Sequence, residues 1–257
     1  MEVKLDEIIK LFKERTEKEC VKFNIEEGEV GILDDKLGGK PYLPVGEEYP
    51  KDKSGNYMPL LFQINLKNVE LEGYPRQGIL EVFVDADLSF PCDYAIRYFE
   101  EGKEYQTDLP KIDLKNFILN TTFKVTLEKA KSYMQFSDYK FYKTFMECIN
   151  EVMGTNITEV AELDQMLDGD EWYEKLTEEC TTPFMYIGGN FNCTQNDPRN
   201  NRNGNYLDKT ECLFVIDSYA DLKKFNIGDA GIIFGIISKE DIKNCNFSNA
   251  FVDWDCC

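Results

Sequence analysis

Few side chains in this sequence are typed and spaced for chemistry. None of the 257 residues is histidine. Ser-His-Asp and Cys-His nucleophile systems are therefore excluded, as are histidine metal sites. Acid–base work would fall to carboxylates such as Asp217 and Asp229, which would need pKa values driven apart. Nucleophilic work would fall to a thiol such as Cys193 or Cys256. Nothing in the spacing brings these groups together. There is no Cys-x-x-Cys, and Cys256-Cys257 has no histidine to complete a zinc site. Asp85 and Asp87 close a strand-like run without the spacing of a calcium loop. Gly38-Gly39-Lys40 looks like part of a nucleotide-binding loop, but Asp34 stands where its first glycine is required, and Pro41 follows the lysine. No residue is assigned to catalysis, and no cofactor or metal is expected.

Two candidate surfaces remain. Asn65 and Asp217 stand at matching ends of two strand-like runs. With Gln195, Asp197, Arg199 and Asp229 they form a candidate ligand-binding set between two repeats, lined by the loops at Gly38-Gly39 and Gly188-Gly189. The simpler reading of the same residues is that they tie loops together. The second surface is acidic: Glu171, Glu174, Glu178 and Glu179 lie in a stretch, Glu151 to Cys180, that carries ten acids and one base. The chain has 48 acids against 29 bases, a net charge of −19. Such a charge repels nucleic acid and anionic lipid and favours a basic protein partner. A solvated charged face accounts for the same residues without any partner.

The positioning elements follow from periodicity. Leu5, Ile8, Ile9 and Phe12 predict an N-terminal helix over Val3–Lys18, packed on the main sheet. Alternation predicts strands on either side of Gly28 and Gly31, at Pro59–Leu66, at Ile79–Val84, at Ala95–Phe99 and at Phe117–Leu127. Phe141, Phe145, Ile149 and Val152 predict a helix over Ser137–Met153, stopped by Gly154, with Ser137 as its cap. Asn156 and Glu159 look like a capping pair for another helix, and Glu171–Glu179 suggests a third. Strands are expected again at Pro183–Gly189, Leu213–Asp217 and Ile232–Ile237, the last one central and buried. A short helix opens at Ser238, and an edge strand closes the chain.

A pattern recurs: Phe62, Ile64, Gly78 and Leu80 have the spacing of Phe214, Ile216, Gly231 and Ile233. This gives an α+β fold, mainly antiparallel sheet with internal duplication. It has two pseudo-repeats (about 21–127 and 181–257), flanking helices and an acidic helical insert (137–180). No apolar run is long enough to span a bilayer, and the N-terminus has no signal-peptide character. A cytoplasmic protein with reduced thiols is expected.

These blocks together resemble the YwqG-like family, an uncharacterised group of bacterial cytosolic proteins. The resemblance rests on Leu37–Pro44, Leu61–Leu66, Gly78–Phe83, the loop with Gly188, Gln195, Asp197 and Pro198, then Leu213–Asp217, Gly228–Gly231 with Phe234, and Asp255-Cys256. Tyr49-Pro50 replaces the Trp-Pro common in that family, and a histidine common before the Gly188 loop is missing. The resemblance implies an antiparallel α+β fold with internal duplication and no settled activity. Some relatives are suggested to be immunity-like proteins in toxin systems. The leading expectation is therefore an acidic interaction module. The alternative is a small-molecule site, or a carboxylate-dependent enzyme, between the repeats.

Overall fold

Alternating and fully apolar runs build ten strands in the computed structural model, which describes residues 4–119, 121–167, 169–200, 205–220 and 227–256. They are β1 (Lys18–Glu27), β2 (Lys36–Leu37), β3 (Leu60–Asn65), β4 (Ile79–Val84), β5 (Tyr94–Phe99), β6 (Phe123–Ser132), β7 (Met185–Gly188), β8 (Glu211–Asp217), β9 (Ile232–Ile237) and β10 (Phe251–Asp255). All ten form one antiparallel sheet in the order β10-β9-β8-β7-β1-β6-β2-β3-β4-β5. The order reads alike from both edges. At its centre, β1 lies between β6 and β7, and β6 lies between β1 and β2.

The sheet curls into a nearly closed barrel. The Tyr94 hydroxyl donates to the Ala250 carbonyl at 3.1 Å, and the Trp254 indole N–H donates to the Ser89 carbonyl at 3.1 Å. These bonds tie the β5 edge to the β10 edge. Side chains at every second position point inward, as the pleat dictates. Val21, Phe23, Phe62, Ile64, Val82, Phe214, Ile216 and Ile233 share one core. Phe62 meets Phe214 edge-on, with ring centroids 4.9 Å apart. The space between the two halves is thus filled by packed apolar side chains.

Four helices make a second core beside the barrel: α1 (Leu5–Thr16), α2 (Phe141–Met153), α3 (Val160–Met166) and α4 (Glu171–Glu179). The apolar stripe of α1 meets this insert and not the sheet, contrary to expectation, because α2 offers it an aromatic face. Phe12 packs edge-on against Phe141 and Phe145 at 5.4 and 5.5 Å, and Phe145 stacks on Trp172 at 5.4 Å. A fifth helix, α5 (Lys239–Lys243), is capped by Ser238, whose hydroxyl accepts the Asp241 N–H, as expected.

Other expectations shift. Val30–Leu33 forms turns and not a strand, because the Lys36 ammonium gathers the Gly31 and Ile32 carbonyls, each at 2.9 Å. Phe117 and Leu119 are buried loop residues, and the strand begins only at Phe123. Ser137 does not cap α2, which starts at Phe141; its hydroxyl donates to the Asn192 side chain and accepts the Cys193 N–H. The capping box falls three residues later than expected, between Glu159 and Glu162. β9 is buried on both faces but is second from an edge, the mirror position of β4, which is equally buried. Outside the described residues lie Val3, Asn120, the isolated base Arg202, the turn pair Asn203-Gly204, the stretch Asp221–Asn226 in the connection before β9, and Cys257.

Paired glycines follow β2 and β7 for a conformational reason. Gly38 and Gly39 have φ of +67° and +76°, and Gly188 and Gly189 have +75° and +73°. A Cβ on Gly39 would lie 2.8 Å from the Thr122 hydroxyl, and one on Gly189 would lie 2.5 Å from the Ser132 hydroxyl. Both the left-handed backbone and the close approach demand glycine. Each pair turns the chain out of the sheet and lays it back over the outer face.

Candidate functional site

The outer faces of the two halves differ in one respect that packing does not require. In the β7–β10 half, the aligned residues Tyr186, Val215 and Phe234 are apolar and sit under Phe191, whose ring meets Phe234 at 5.0 Å. In the β2–β5 half, the aligned residues are Lys36, Gln63, Glu81 and Arg97. Neighbouring strands lie about 4.8 Å apart, so these four side chains stand side by side. The Gly38–Tyr42 segment crosses above them. Lys36 is 1% exposed, and Gln63 and Glu81 are fully buried.

Two members of this row are satisfied. Gln63 accepts the Tyr42 N–H at 2.8 Å and donates to the Ile32 and Asp34 carbonyls at 2.8 and 3.0 Å. Lys36 donates to two carbonyls, leaving one N–H to spare. The others are not satisfied. Both Glu81 oxygens, the Arg97 Nε and the nearby Tyr49 hydroxyl are buried without a hydrogen-bond partner. Burial pushes the Glu81 carboxyl up to about 8, against the pull of the Tyr42 backbone and of the Lys36 and Arg97 charges. Burial likewise brings Lys36 down to about 8, opposed by Glu81, Asp34 and Asp35. The Tyr49 hydroxyl is pushed up, first by burial and then by the Glu81 charge, so it lies within electrostatic reach of that carboxyl. Buried polar groups are nearly always bonded, and a cluster of exceptions calls for a missing partner.

An opening lies beside this row. A cleft of about 380 Å³ is lined by Tyr49, Pro59, Leu60, Leu109, Ile112, Phe117 and Leu119, with Lys40 and Lys111 among its wall residues. Tyr49 both lines this cleft and feels the Glu81 charge. On the other side of the Gly39–Lys40 strap, a shallower hollow is lined by Gly31, Ile32, Lys36 and Thr122. The signal missed in the sequence was polar residues recurring on one strand face, Gln63 and Glu81, where the partner half has Val215 and Phe234. Alternation alone marks such a face as solvated.

The residues singled out from the sequence occupy separate places. Asn65 and Asp217 each cap the short 3-10 turn that follows their strand. The Asn65 side-chain Oδ1 accepts the Lys67 N–H at 3.1 Å, and the Asp217 carboxylate accepts the Tyr219 N–H at 2.8 Å. Burial raises Asp217 to about 6. Gln195 donates from its backbone to Asp255 at 2.7 Å and from its side chain to the Cys256 carbonyl. Asp197 and Arg199 form a buried ion pair at 2.6 Å, and Arg199 also reaches Asp138 at 3.2 Å. The guanidinium lies between the Tyr139 and Phe191 rings, 5.0 and 4.8 Å from their centroids. Asp229 is exposed in the turn before β9. The loop-tying reading therefore describes Asn65, Asp217, Gln195, Asp197 and Arg199. Glu171, Glu174, Glu178 and Glu179 are all exposed on α4, with Glu179 paired to Lys13 at 2.9 Å.

Of the carboxylates and thiols weighed for catalysis, Cys193 is buried and its thiol is pushed up by burial and by Asp255. Among the described residues no group of His, Cys, Asp and Glu could hold a metal ion, and no helix is long and apolar enough to cross a membrane. No curated protein matches the chain. The model of a family described as "Domain of unknown function (DUF1963)" matches residues 35–256, from the residue before Lys36 to the end of the barrel. The chain belongs to the DUF1963 family.

Proposed function

We propose that this protein binds a small molecule in the cleft beside Tyr49, on the outer face of the β2–β5 half. The observation that carries this reading is the cleft itself: about 380 Å³, walled by Leu60, Leu109, Ile112 and Phe117, with an unpartnered buried hydroxyl in its wall. Its size and mixed lining fit an organic ligand. The location differs from the expected one between the halves, where the apolar core fills the space. Leu114, 43% exposed at the cleft, gives the test. Leu114→Trp is expected to leave the melting temperature within about 2 °C. It should also abolish the thermal shift of any hit from a fragment screen. Hits that shift the wild type and the variant alike would place binding elsewhere.

A second reading keeps the acidic helical lobe as an interaction surface, as of an immunity-like protein. It is supported by Tyr142, Val160 and Tyr173, large apolar residues exposed by 43%, 40% and 48% on the lobe that carries Glu171, Glu174 and Glu178. The fitting occupant is a basic amphipathic segment of another protein. A synthetic lysine-rich amphipathic helix should bind the wild type in low salt. It should lose at least about tenfold in affinity to a variant with Glu171, Glu174 and Glu178 changed to Lys. Equal binding by both proteins would remove this surface from consideration.

Two finer statements belong with these readings. The halves are proposed to be copies, Lys18–Phe99 and Phe123–Asp255. Support comes from the mirrored strand order, from the Gly-Gly pairs after β2 and β7, and from matching bonds: the Leu66 N–H to the Gly78 carbonyl at 2.8 Å and the Ser218 N–H to the Gly231 carbonyl at 3.1 Å. A cytoplasmic setting is supported by the free thiols of Cys20, Cys92, Cys148, Cys180, Cys193, Cys212, Cys245 and Cys256 among the described residues.

A further inference from the structure

The unmet groups of the buried row are of both kinds. No protein group meets either Glu81 oxygen or the Tyr49 hydroxyl, and none accepts the Arg97 Nε–H. Oxygens and an N–H stand unmet together, so a partner that serves them all must both donate and accept. Water does both. The segment Gly38–Tyr42 stands between solvent and the row: its last N–H, that of Tyr42, donates to Gln63 and also lies close enough to Glu81 to pull on its carboxyl.

That segment is held at its two ends. At the near end the Gly38 N–H donates to the Leu61 carbonyl at 3.0 Å. At the far end the Tyr42 ring packs against Phe99 and Tyr105, with centroids 6.3 and 5.9 Å away, and its hydroxyl donates to the Lys103 carbonyl at 3.0 Å. Between these points one polar tether remains, the Tyr42 N–H to Gln63 at 2.8 Å. Pro41 has no N–H to give. Gly39 and Lys40 make no backbone hydrogen bond among the described residues. Gly39, at φ +76°, can change the sign of its φ without the clash a Cβ would bring. The segment also parts two openings. Gly39, Lys40, Thr121 and Thr122 line both the cleft of about 380 Å³ and the hollow of about 610 Å³ that Lys36 borders. We propose that Gly38–Tyr42 is a lid. It hinges at Gly39, releases Gln63, and joins cleft and hollow over a floor of Lys36, Gln63 and Glu81. Opening gives up one hydrogen bond and lets water reach the Glu81 oxygens, which no protein group meets in the closed state, while the strands beneath stay paired. The lid does not depend on what the cleft binds.

Hydrogen exchange on the full chain at pH 7, read by NMR, tests the lid. Two probes lie beneath it: the Tyr42 N–H, and the Gln63 side-chain N–H groups that donate to the Ile32 and Asp34 carbonyls. Corrected for intrinsic rates, both should exchange at least about 100-fold faster than the ladder amides of β3 and β4, because the lid lifts without the sheet. A staple gives the converse. A Cβ on Gly39 would lie 3.5 Å from that of Thr122, at the short end of the range a disulfide spans. In the variant Gly39→Cys/Thr122→Cys, oxidation should slow both probes at least about tenfold more than it slows the ladder amides, judged against the reduced form of the same chain. A melting curve shows that the variant is folded, and if it is not, the wild-type rates decide alone. Exchange of both probes at the ladder rate in the wild type would overturn the lid, since the row would then be sealed until the sheet itself unfolds. Fast exchange that the staple leaves unchanged would overturn it too, since water would be reaching the row by another path.

Discussion

Wild-type protein is expected to lose stability as the pH rises from about 4.5 to 8, and the Glu81→Gln variant to lose much less. The unfolded chain ionises Glu81 near its ordinary value of 4.5, whereas the folded chain holds the proton to about 8. Between those values unfolding releases a proton, so raising the pH favours the unfolded state. The loss is complete once the pH has passed the folded value. For one carboxyl this amounts to at most on the order of 5 kcal/mol. Lys36 slopes the other way. Its folded value of about 8 lies below the ordinary 10.5, so the unfolded state binds the extra proton in that window and stability recovers as the pH rises through it. The trough near pH 8 is thus a property of the pair. Urea midpoints at pH 5, 8 and 10 measure it. Asp217, raised to about 6, slopes in the same sense as Glu81, so the difference between wild type and Glu81→Gln isolates the buried row. Parallel curves for the two proteins would show that Glu81 is not buried as described.

Arg199→Ala is expected to cost about 3–5 kcal/mol, because it leaves the Asp197 carboxylate buried without its ion-pair partner. Asp197 receives the Arg199 backbone N–H at 2.9 Å and side-chain Nε–H at 2.9 Å, and its second oxygen takes the Nη2–H at 2.6 Å. Arg199→Lys keeps the charge but loses the planar fork and its stacking between two rings, so it should recover only part of the loss. The double variant Asp197→Asn/Arg199→Met removes most of the unpaired charge and should be more stable than Arg199→Ala, as a coupled pair requires. Thermal melts would show a drop of about 10 °C for Arg199→Ala. A drop under about 2 °C would mean that the ion pair is solvated.

The strands and most helices were legible because burial leaves a period in the sequence. Val21 and Phe23 alternate with Lys22 and Asn24 in β1, Ile8, Ile9 and Phe12 recur at helical spacing, and both follow from the geometry of the element itself. What the stripe of α1 packs against was not legible, because Phe141 and Phe145 lie far along the chain. The candidate site was harder still. Gln63 and Glu81 look like a wetted strand face, and only the strap from Gly38 to Tyr42 converts that face into an interior. Its covering role depends on where two left-handed glycines aim the chain. Asn65 and Asp217 do end their strands, but a side chain that caps a turn and one that meets a ligand share the same residue types.

The placement of β1 has a consequence for synthesis of the chain. Cys20 faces Ala130 on one side and Gly188 on the other. No strand made before β6 can pair with it, so on the ribosome the segment Lys18–Glu27 waits, with both edges open, while everything up to Ser132 is translated. An unpaired strand is a template for aggregation. This one carries Lys22, Asn24 and Glu26 along the side that later faces solvent, and those residues finally pair with Glu128 and Lys124 of β6. The same charges that make modest surface contacts in the finished barrel act earlier as gatekeepers, keeping the first strand from finding the wrong neighbour before the right one exists.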